Sequence, residues 1–306
     1  MTEYNIGTGG WGYFEVPNKS SLEAYSEIFG FVEVNNTFYE YPDLAKVERW
    51  RRTVPKDFMF SVRCHQDLTH KIGLKPVDEA YDSFYRSYQY CRVLDAHYLV
   101  LETPPNYILT KEKAEDTSDF FSSLNLNELD IVWEYRATAS SKVYRFMIKH
   151  KIIPSIDIST QPVQNQRDVI YTRIFGKGKH NLYQFTDEEL EDIDHKILNS
   201  HAKTAVISFH GARMYRDAAN FQNYKLTGQF LHSTSQTGYE SALAVLSEDA
   251  KFPSNKKELI EKQGWKVIDL TKNKRVHLSY LLEQIPNRKY SNLDDVKESL
   301  EKIPIE

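Results

Sequence analysis

Eight short apolar runs recur along the first two thirds of this 306-residue chain, and most are separated by a stretch of helical periodicity. The runs begin at Tyr4, Phe31, Phe58, Tyr98, Leu129, Ile152, Val169 and Thr204. Antiparallel strands can be joined by a tight turn, whereas parallel strands need a crossover, usually a helix. The alternation therefore predicts an α/β fold, a (β/α)8 TIM-type barrel rather than an open sheet. Helix starts fit this order: Ser20 with Glu23 and Thr186 with Glu189 are spaced as capping boxes, and Ser140 stands at a cap position. Further helices are predicted over 43–52, 76–94 and after Thr110. Between the sixth and seventh runs, Ile158 to Asp168 is rich in Gln and Asn and predicts no helix.

In the second run, Phe31-Val-Glu-Val34, side chains alternate, so Glu33 and the following Asn35 face away from Val32 and Val34 and toward the strand end. Parallel α/β barrels place their ligand site at that end. Applied to every strand, this delivers Glu33, Asn35, Arg63, Glu102, Glu134, Arg136, Asp157, Arg173 and His210 to one rim. Glu33, Glu102, Glu134 and Asp157 are ligand types for a divalent metal ion, and the three arginines suit an anion such as a phosphate or carboxylate. The candidate catalytic set is Glu33, Glu134, Asp157, His210, Arg136 and Arg173. Trp11, Tyr13, Asn35, Tyr39, Arg63 and His70 are candidate substrate contacts, the aromatics as stacking faces. A second reading of the same ring is a mutually satisfied ionic network inside the barrel. His65 and His70 read first as structural or solvated side chains, and His210 suits a hydrogen-bonding role as well as a catalytic one.

The length accommodates one large domain with a small appendage, set here as a barrel over 1–226, a linker over 227–238 and a mainly helical module over 239–306. Helices in the module are predicted over 255–262, 278–285 and 292–303, with an extended piece over 265–270. From Lys251 to Lys289 there are ten Lys or Arg against four acids, although the whole chain carries a net charge of -4. Nucleic acid is thus a candidate partner for the module alone, and a small phosphorylated or acidic sugar is the other candidate ligand. No apolar run approaches the ~18 residues of a membrane span, which predicts no membrane partner. Two cysteines, Cys64 and Cys91, form no disulfide framework and fit a reducing, cytoplasmic setting. Gly7-Thr-Gly-Gly-Trp-Gly12 lacks the G-x-G-x-x-G spacing of a dinucleotide site.

Ile6 to Tyr13, Val32 to Tyr39 with Pro42, Trp50 with Pro55, Phe58 to Val62, Thr69 with His70, Pro104-Pro105, Trp133 to Arg136, Tyr171 to Arg173 with Gly176, and Phe209 to Gly211 together resemble the YecE-like family, domain of unknown function 72. The resemblance covers roughly the first 220 residues, implies a TIM-type barrel, and carries a sugar-isomerase label without a settled reaction. Glu102 stands where many members have Gln, and Phe175 where a His-Gly pair is usual. The tail resembles domain of unknown function 2795 at Phe252-Pro253, Lys257 to Ile260, Leu281-Leu282, Ile285-Pro286, Tyr290 and Asp295-Val296, which implies a compact helical unit. The leading functional expectation is metal-assisted phosphodiester hydrolysis on nucleic acid held by the basic tail. The alternatives are acid–base isomerisation of a small phosphorylated or acidic sugar, and anion binding without catalysis.

Overall fold

The computed structural model describes residues 2–126, 128–164 and 168–304. The eight runs are strands β1 (Glu3–Thr8), β2 (Phe31–Val34), β3 (Met59–Arg63), β4 (Tyr98–Thr103), β5 (Asp130–Tyr135), β6 (Ile153–Ile156), β7 (Val169–Ile174) and β8 (Thr204–Phe209). They form a closed barrel in chain order, all neighbours parallel, with β8 returning to β1. This is the TIM-type barrel that the alternation predicts. Between strands lie α1 (Ser21–Ser26), α2 (Leu44–Thr53), α3 (Asp78–Leu94), α4 (Lys111–Ser122), α5 (Ser141–Lys149) and α6 (Asp187–Asn199). Residues 157–164 and 168, between β6 and β7, contain no helix.

Local chemistry accounts for the helix boundaries. Ser20, Asp43 and Thr110 each accept the backbone N–H three residues on, satisfying a donor that the first turn leaves free. Ser140 occupies the cap position of α5 without that bond. Thr186 precedes α6 and its backbone N–H donates to Glu189 at 3.2 Å, the return half of a capping box.

Period two along the strands sorts the barrel interior into layers. Phe31, Tyr98, Val100, Val132, Ile153, Tyr171 and Val206 form an apolar cluster contributed by β2 and β4 to β8. Two residues further along those strands stand Glu33, Glu102, Glu134, Ser155, Arg173 and Ser208. One pleat period thus carries the interior from hydrocarbon to charge, and the polar layer lies toward the C-terminal strand ends.

The chain divides into two compact units, Met1–Ile174 with His195–His210, and Phe175–Asp194 with Gly211–Glu306. The second unit contains α7 (Met214–Thr227), α8 (Gly238–Asp249), β9 (Ser254–Asn255), α9 (Lys256–Gln263), β10 (Val267–Thr271), β11 (Lys274–His277), α10 (Ser279–Leu282), β12 (Lys289–Tyr290) and α11 (Leu293–Leu300). β10 pairs with β11 and β9 with β12, so two small antiparallel sheets accompany the helices expected there. α8 was not among the predicted helices. Its Ala242, Val245 and Leu246 are buried with Leu281, Leu282, Ile285 and Val296 in one hydrophobic cluster.

Candidate active site at the barrel mouth

Arg173 on β7 is the hub of the polar layer. It is 1% exposed, and its guanidinium meets carboxylates from three other strands. Its Nε donates to Glu33 Oε1 at 3.1 Å, and one Nη donates to Glu102 Oε2 at 2.7 Å and to Glu134 Oε2. Tyr171, two residues earlier, donates its hydroxyl to Glu33 Oε2 at 2.9 Å and lies 2.7 Å from Ser61 Oγ. Arg63 shares Glu102 Oε2 with Arg173 and donates to Asn35 Oδ1 at 2.6 Å. Its guanidinium carbon sits 3.6 Å from the centre of the Phe38 ring, a cation–π contact that helps offset its desolvation. Arg136 bridges Glu102 Oε1 at 3.0 Å and Glu134 Oε1 at 2.8 Å. Three glutamates therefore face three guanidinium groups, and the cluster balances its own charge.

Exposure distinguishes the three arginines. The Arg63 and Arg173 side chains are 5% and 2% exposed, whereas Arg136 is 37% exposed and is the cation that reaches the mouth. Glu134 is the most exposed of the three glutamates, at 13%. Burial raises its pKa, but Arg173 and Arg136 outweigh burial and hold it below the usual carboxylate range. Burial lowers the pKa of Arg173, and Glu134, Glu33 and Glu102 more than reverse this, so it stays charged.

His210 follows β8 and its side chain is 5% exposed. Its Nε2 lies 3.3 Å from Arg173 Nε, 3.0 Å from Ser208 Oγ and 3.5 Å from Glu33 Oε1. Burial, followed by the fields of Arg173, Arg63 and Arg136, drives its pKa well below the normal histidine value, so the ring is neutral near pH 7. A neutral ring accepting from Arg173 Nε carries its own proton on Nδ1. Gly9 makes room for it. The Gly9 backbone N–H continues the β1–β8 pairing by donating to Phe209 O at 2.9 Å, and a Cβ at Gly9 would fall 2.2 and 2.3 Å from His210 Cε1 and Nδ1.

Of the residues expected at the rim, Glu33, Asn35, Arg63, Glu102, Glu134, Arg136, Arg173 and His210 belong to this connected network. Asp157 accepts from the Ser159 backbone N–H at 2.9 Å and from its hydroxyl at 2.5 Å. Among the described residues, no three His, Cys, Asp or Glu side chains are grouped as ligands for a metal ion. Of the expected metal set Glu33, Glu102, Glu134 and Asp157, the three glutamates converge on guanidinium groups. His70 lies in an irregular helical turn after β3 and stands edge-on to Phe38 at 5.1 Å. Partial desolvation lowers its pKa although the side chain is exposed, with the field of Glu102 opposing and those of Arg63 and Arg136 adding to the fall, which puts His70 within reach of the network's field. His65 is buried and stacked 3.8 Å from Tyr41, consistent with its structural reading. Tyr39 and Tyr13 are 64% and 87% exposed, and Trp11 packs edge-on against Trp50 at 5.3 Å. Sequence reading missed Tyr171, Ser61, Ser208 and Gly9. The period-two rule that found Arg173 and His210 points to Tyr171 and Ser208 when taken one step back.

The family model described as "Protein of unknown function DUF72" matches residues 5–236. The chain is 33% identical over 89 residues to the UPF0759 protein YunF of Bacillus subtilis and 34% identical over 65 residues to the UPF0759 protein YecE of Escherichia coli. These stretches are 26% and 21% of this chain, and they span about a third and a quarter of those relatives, 32% and 24%. Solved DUF72 family structures from Enterococcus faecalis and Thermotoga maritima superpose with a TM-score of 0.60 each, at 17% and 18% identity. Each superposition covers 74% of this chain and 98% or 100% of the other, which shows a shared fold.

Proposed function

This chain belongs to the DUF72 family, and we propose that its barrel mouth is an acid–base site for a small anionic polyol, a phosphorylated or acidic sugar. The observation that carries the reading is Arg136, a partly accessible guanidinium bridging two carboxylates that are otherwise held from within. An incoming anion competes for Arg136. As Arg136 turns to the ligand, Glu134 loses one of the two cations that keep its pKa low and gains proton affinity. The ligand thereby generates the base that acts on it. Arg173 stays on Glu33 and Glu102 and keeps Glu134 aimed, while neutral His210 beside Arg173 offers a hydrogen-bonding group that adds no charge. Exposed Tyr39 and His70 suit contact with the carbon face of such a ligand.

The test is deuterium incorporation from heavy water into the carbon next to the carbonyl of phosphorylated and acidic sugars. Exchange by the native chain, its loss in Glu134→Gln and weakened substrate binding in Arg136→Gln are the expected results. No exchange and no binding across such a panel would remove the reading.

Metal-assisted hydrolysis of nucleic acid is the second reading, supported by the cationic surplus of the tail. Lys266 and Arg275 are buried in ion pairs with Asp249 and Asp187, but Lys257, Lys262, Lys272, Lys274, Arg288 and Lys289 are exposed. A divalent ion at the mouth would have to displace guanidinium groups from Glu33, Glu102 and Glu134, so the donor set favours the metal-free route. Salt titration of nucleic-acid binding separates the two, since each phosphate neutralised contributes a slope of roughly 0.7–0.9 in log affinity against log salt. The resemblance of the tail to domain of unknown function 2795 implies a compact helical unit and bears on neither reading. A reducing compartment is proposed from the two buried free cysteines. Among the described residues no helix is long and apolar enough to cross a membrane.

A further inference from the structure

Asp269 on β10 is 0% exposed and collects donors from three directions. Its Oδ1 lies 2.9 Å from His232 Nδ1, its Oδ2 accepts the Thr234 backbone N–H at 2.7 Å, and Arg275, its register partner on β11, reaches it at 3.5 Å. The backbone N–H of Asp269 is itself held by Ser241 Oγ at 3.0 Å. A buried carboxylate fixed in this way sets both the orientation and the tautomer of the imidazole bound to it. His232 gives Nδ1–H to Asp269, its side chain is 57% exposed, and Nε2 has no partner among the described residues. The ring opens on a cavity of about 760 Å³, also lined by Ser235, Thr237, Glu240, Lys272 and Asn273. Among the described residues Lys272 and Glu240 have no ion-pair partner, so the cavity presents a free ammonium and a free carboxylate beside the fixed imidazole.

From this arrangement we propose that the second unit holds a site for the dianion of a phosphomonoester, gripped by His232 and Lys272. Asp269 and Asp187 share one guanidinium, Arg275, so this buried set has one more carboxylate than cation. A proton taken up on Nε2 with the ligand makes His232 an imidazolium, which balances that set and gives a charged Nε2–H donor next to Lys272. Two cationic donors match the two negative charges of a phosphomonoester, and the hydroxyls of Ser235 and Thr237 suit its remaining oxygens. Glu240 opposes the anion, so its removal has a signed effect. This site shares no residue with the network of the barrel mouth, and failure of the acid–base reading there would leave it untouched.

The experiment is calorimetric titration of the full, untagged chain with inorganic phosphate and with phenyl phosphate, alongside NMR of the histidine rings. Saturable binding of one ligand that shifts the His232 ring is expected. Lys272→Gln and His232→Asn should each weaken it roughly ten-fold or more, and Glu240→Gln should tighten it. Equal affinity for both probes means that the phosphoryl group alone is recognised, and a preference for phenyl phosphate means that an organic ester is the ligand; both support the site. His232→Asn removes a partner of a buried carboxylate and can impair folding. Lys272→Gln, at an exposed position, tests the same claim without that risk. Absence of saturable binding, or binding indifferent to Lys272→Gln, overturns the proposal.

Discussion

Glu134 at the barrel mouth and Asp217 on α7 are both carboxylates withdrawn from water, yet their pKa values are displaced in opposite directions. Two guanidinium groups hold Glu134 ionised against its burial. Asp217 is 2% exposed, its Oδ1 accepts the Phe185 backbone N–H at 3.2 Å, and its Oδ2 has no hydrogen-bond partner among the described residues. Burial therefore drives its pKa well above the ordinary value, with the Phe185 N–H and Arg216 opposing too weakly to reverse it. The pair shows that depth alone does not decide charge. A guanidinium in direct contact does, as Arg173 and Arg136 do for Glu134, whereas the field of Arg216 does not suffice for Asp217.

The strongest way to break this contrast is Arg173→Met, which leaves three glutamates without their shared cation. Breaking a buried ion pair costs about 3–5 kcal/mol. Glu102 and Glu134 keep Arg63 or Arg136, but Glu33 is left with no guanidinium among the described residues and should then behave as Asp217 does, with a folded pKa above the unfolded one, so the loss seen by urea unfolding should be larger at pH 8 than at pH 5. Equal loss at both pH values would mean that a buried carboxylate without a guanidinium need not follow Asp217, and would break the contrast.

Gly9→Ala comes next. Its Cβ would overlap the His210 ring, and overpacking of this kind costs about 1–3 kcal/mol. Ring NMR should show His210 displaced from Arg173. A native His210 signal with unchanged stability would place the ring elsewhere.

Asp217→Asn tests the other side of the comparison. A raised folded pKa contributes stability that is complete below the unfolded pKa, near 3.9, and is lost as pH rises through the folded value. Each unit of elevation is worth about 1.4 kcal/mol, and Asn cannot ionise. The variant should therefore gain stability relative to the native chain as pH rises from 5 to 8, and a difference independent of pH would refute the enclosed neutral acid. Smallest in stability is Arg136→Gln, at about 1 kcal/mol or less because the side chain is partly solvated. Carboxyl NMR titration should nevertheless show the Glu134 pKa moving up toward the behaviour of Asp217. An unmoved titration would take Arg136 out of the proposed mechanism.

Much of the barrel was legible because it rests on two periodicities, the alternation of strand with helix and the alternation of faces within a strand. Glu33, Glu134 and Arg173 follow from the second alone. Their partners do not, because which guanidinium meets which carboxylate depends on the stagger between strands, set by packing around the whole ring. Asp157 illustrates the limit: the same count put it at the rim, and a local bond to Ser159 engages it. α8 did carry a readable signal, with Ala242, Val245 and Leu246 spaced for one helical face, but the polar stretch before it and the surplus of cations after it obscure that face. His232 was invisible, since its partner Asp269 stands 37 residues away.

The pairing of β1 with β8, from Glu3 opposite Thr204 to Thr8 opposite Phe209, imposes a schedule on synthesis. At about 5–20 residues per second, roughly 200 residues of elongation separate the two strands by on the order of 10 to 40 s. During that interval the first strand has one edge without its final neighbour. The network keeps the same calendar: Glu33, Arg63, Glu102, Glu134 and Arg136 all leave the ribosome before Arg173, so the nascent mouth is one cation short until the seventh strand docks. Closure of the sheet and neutralisation of its rim are therefore adjacent late events, and a chain stalled before Arg173 has neither.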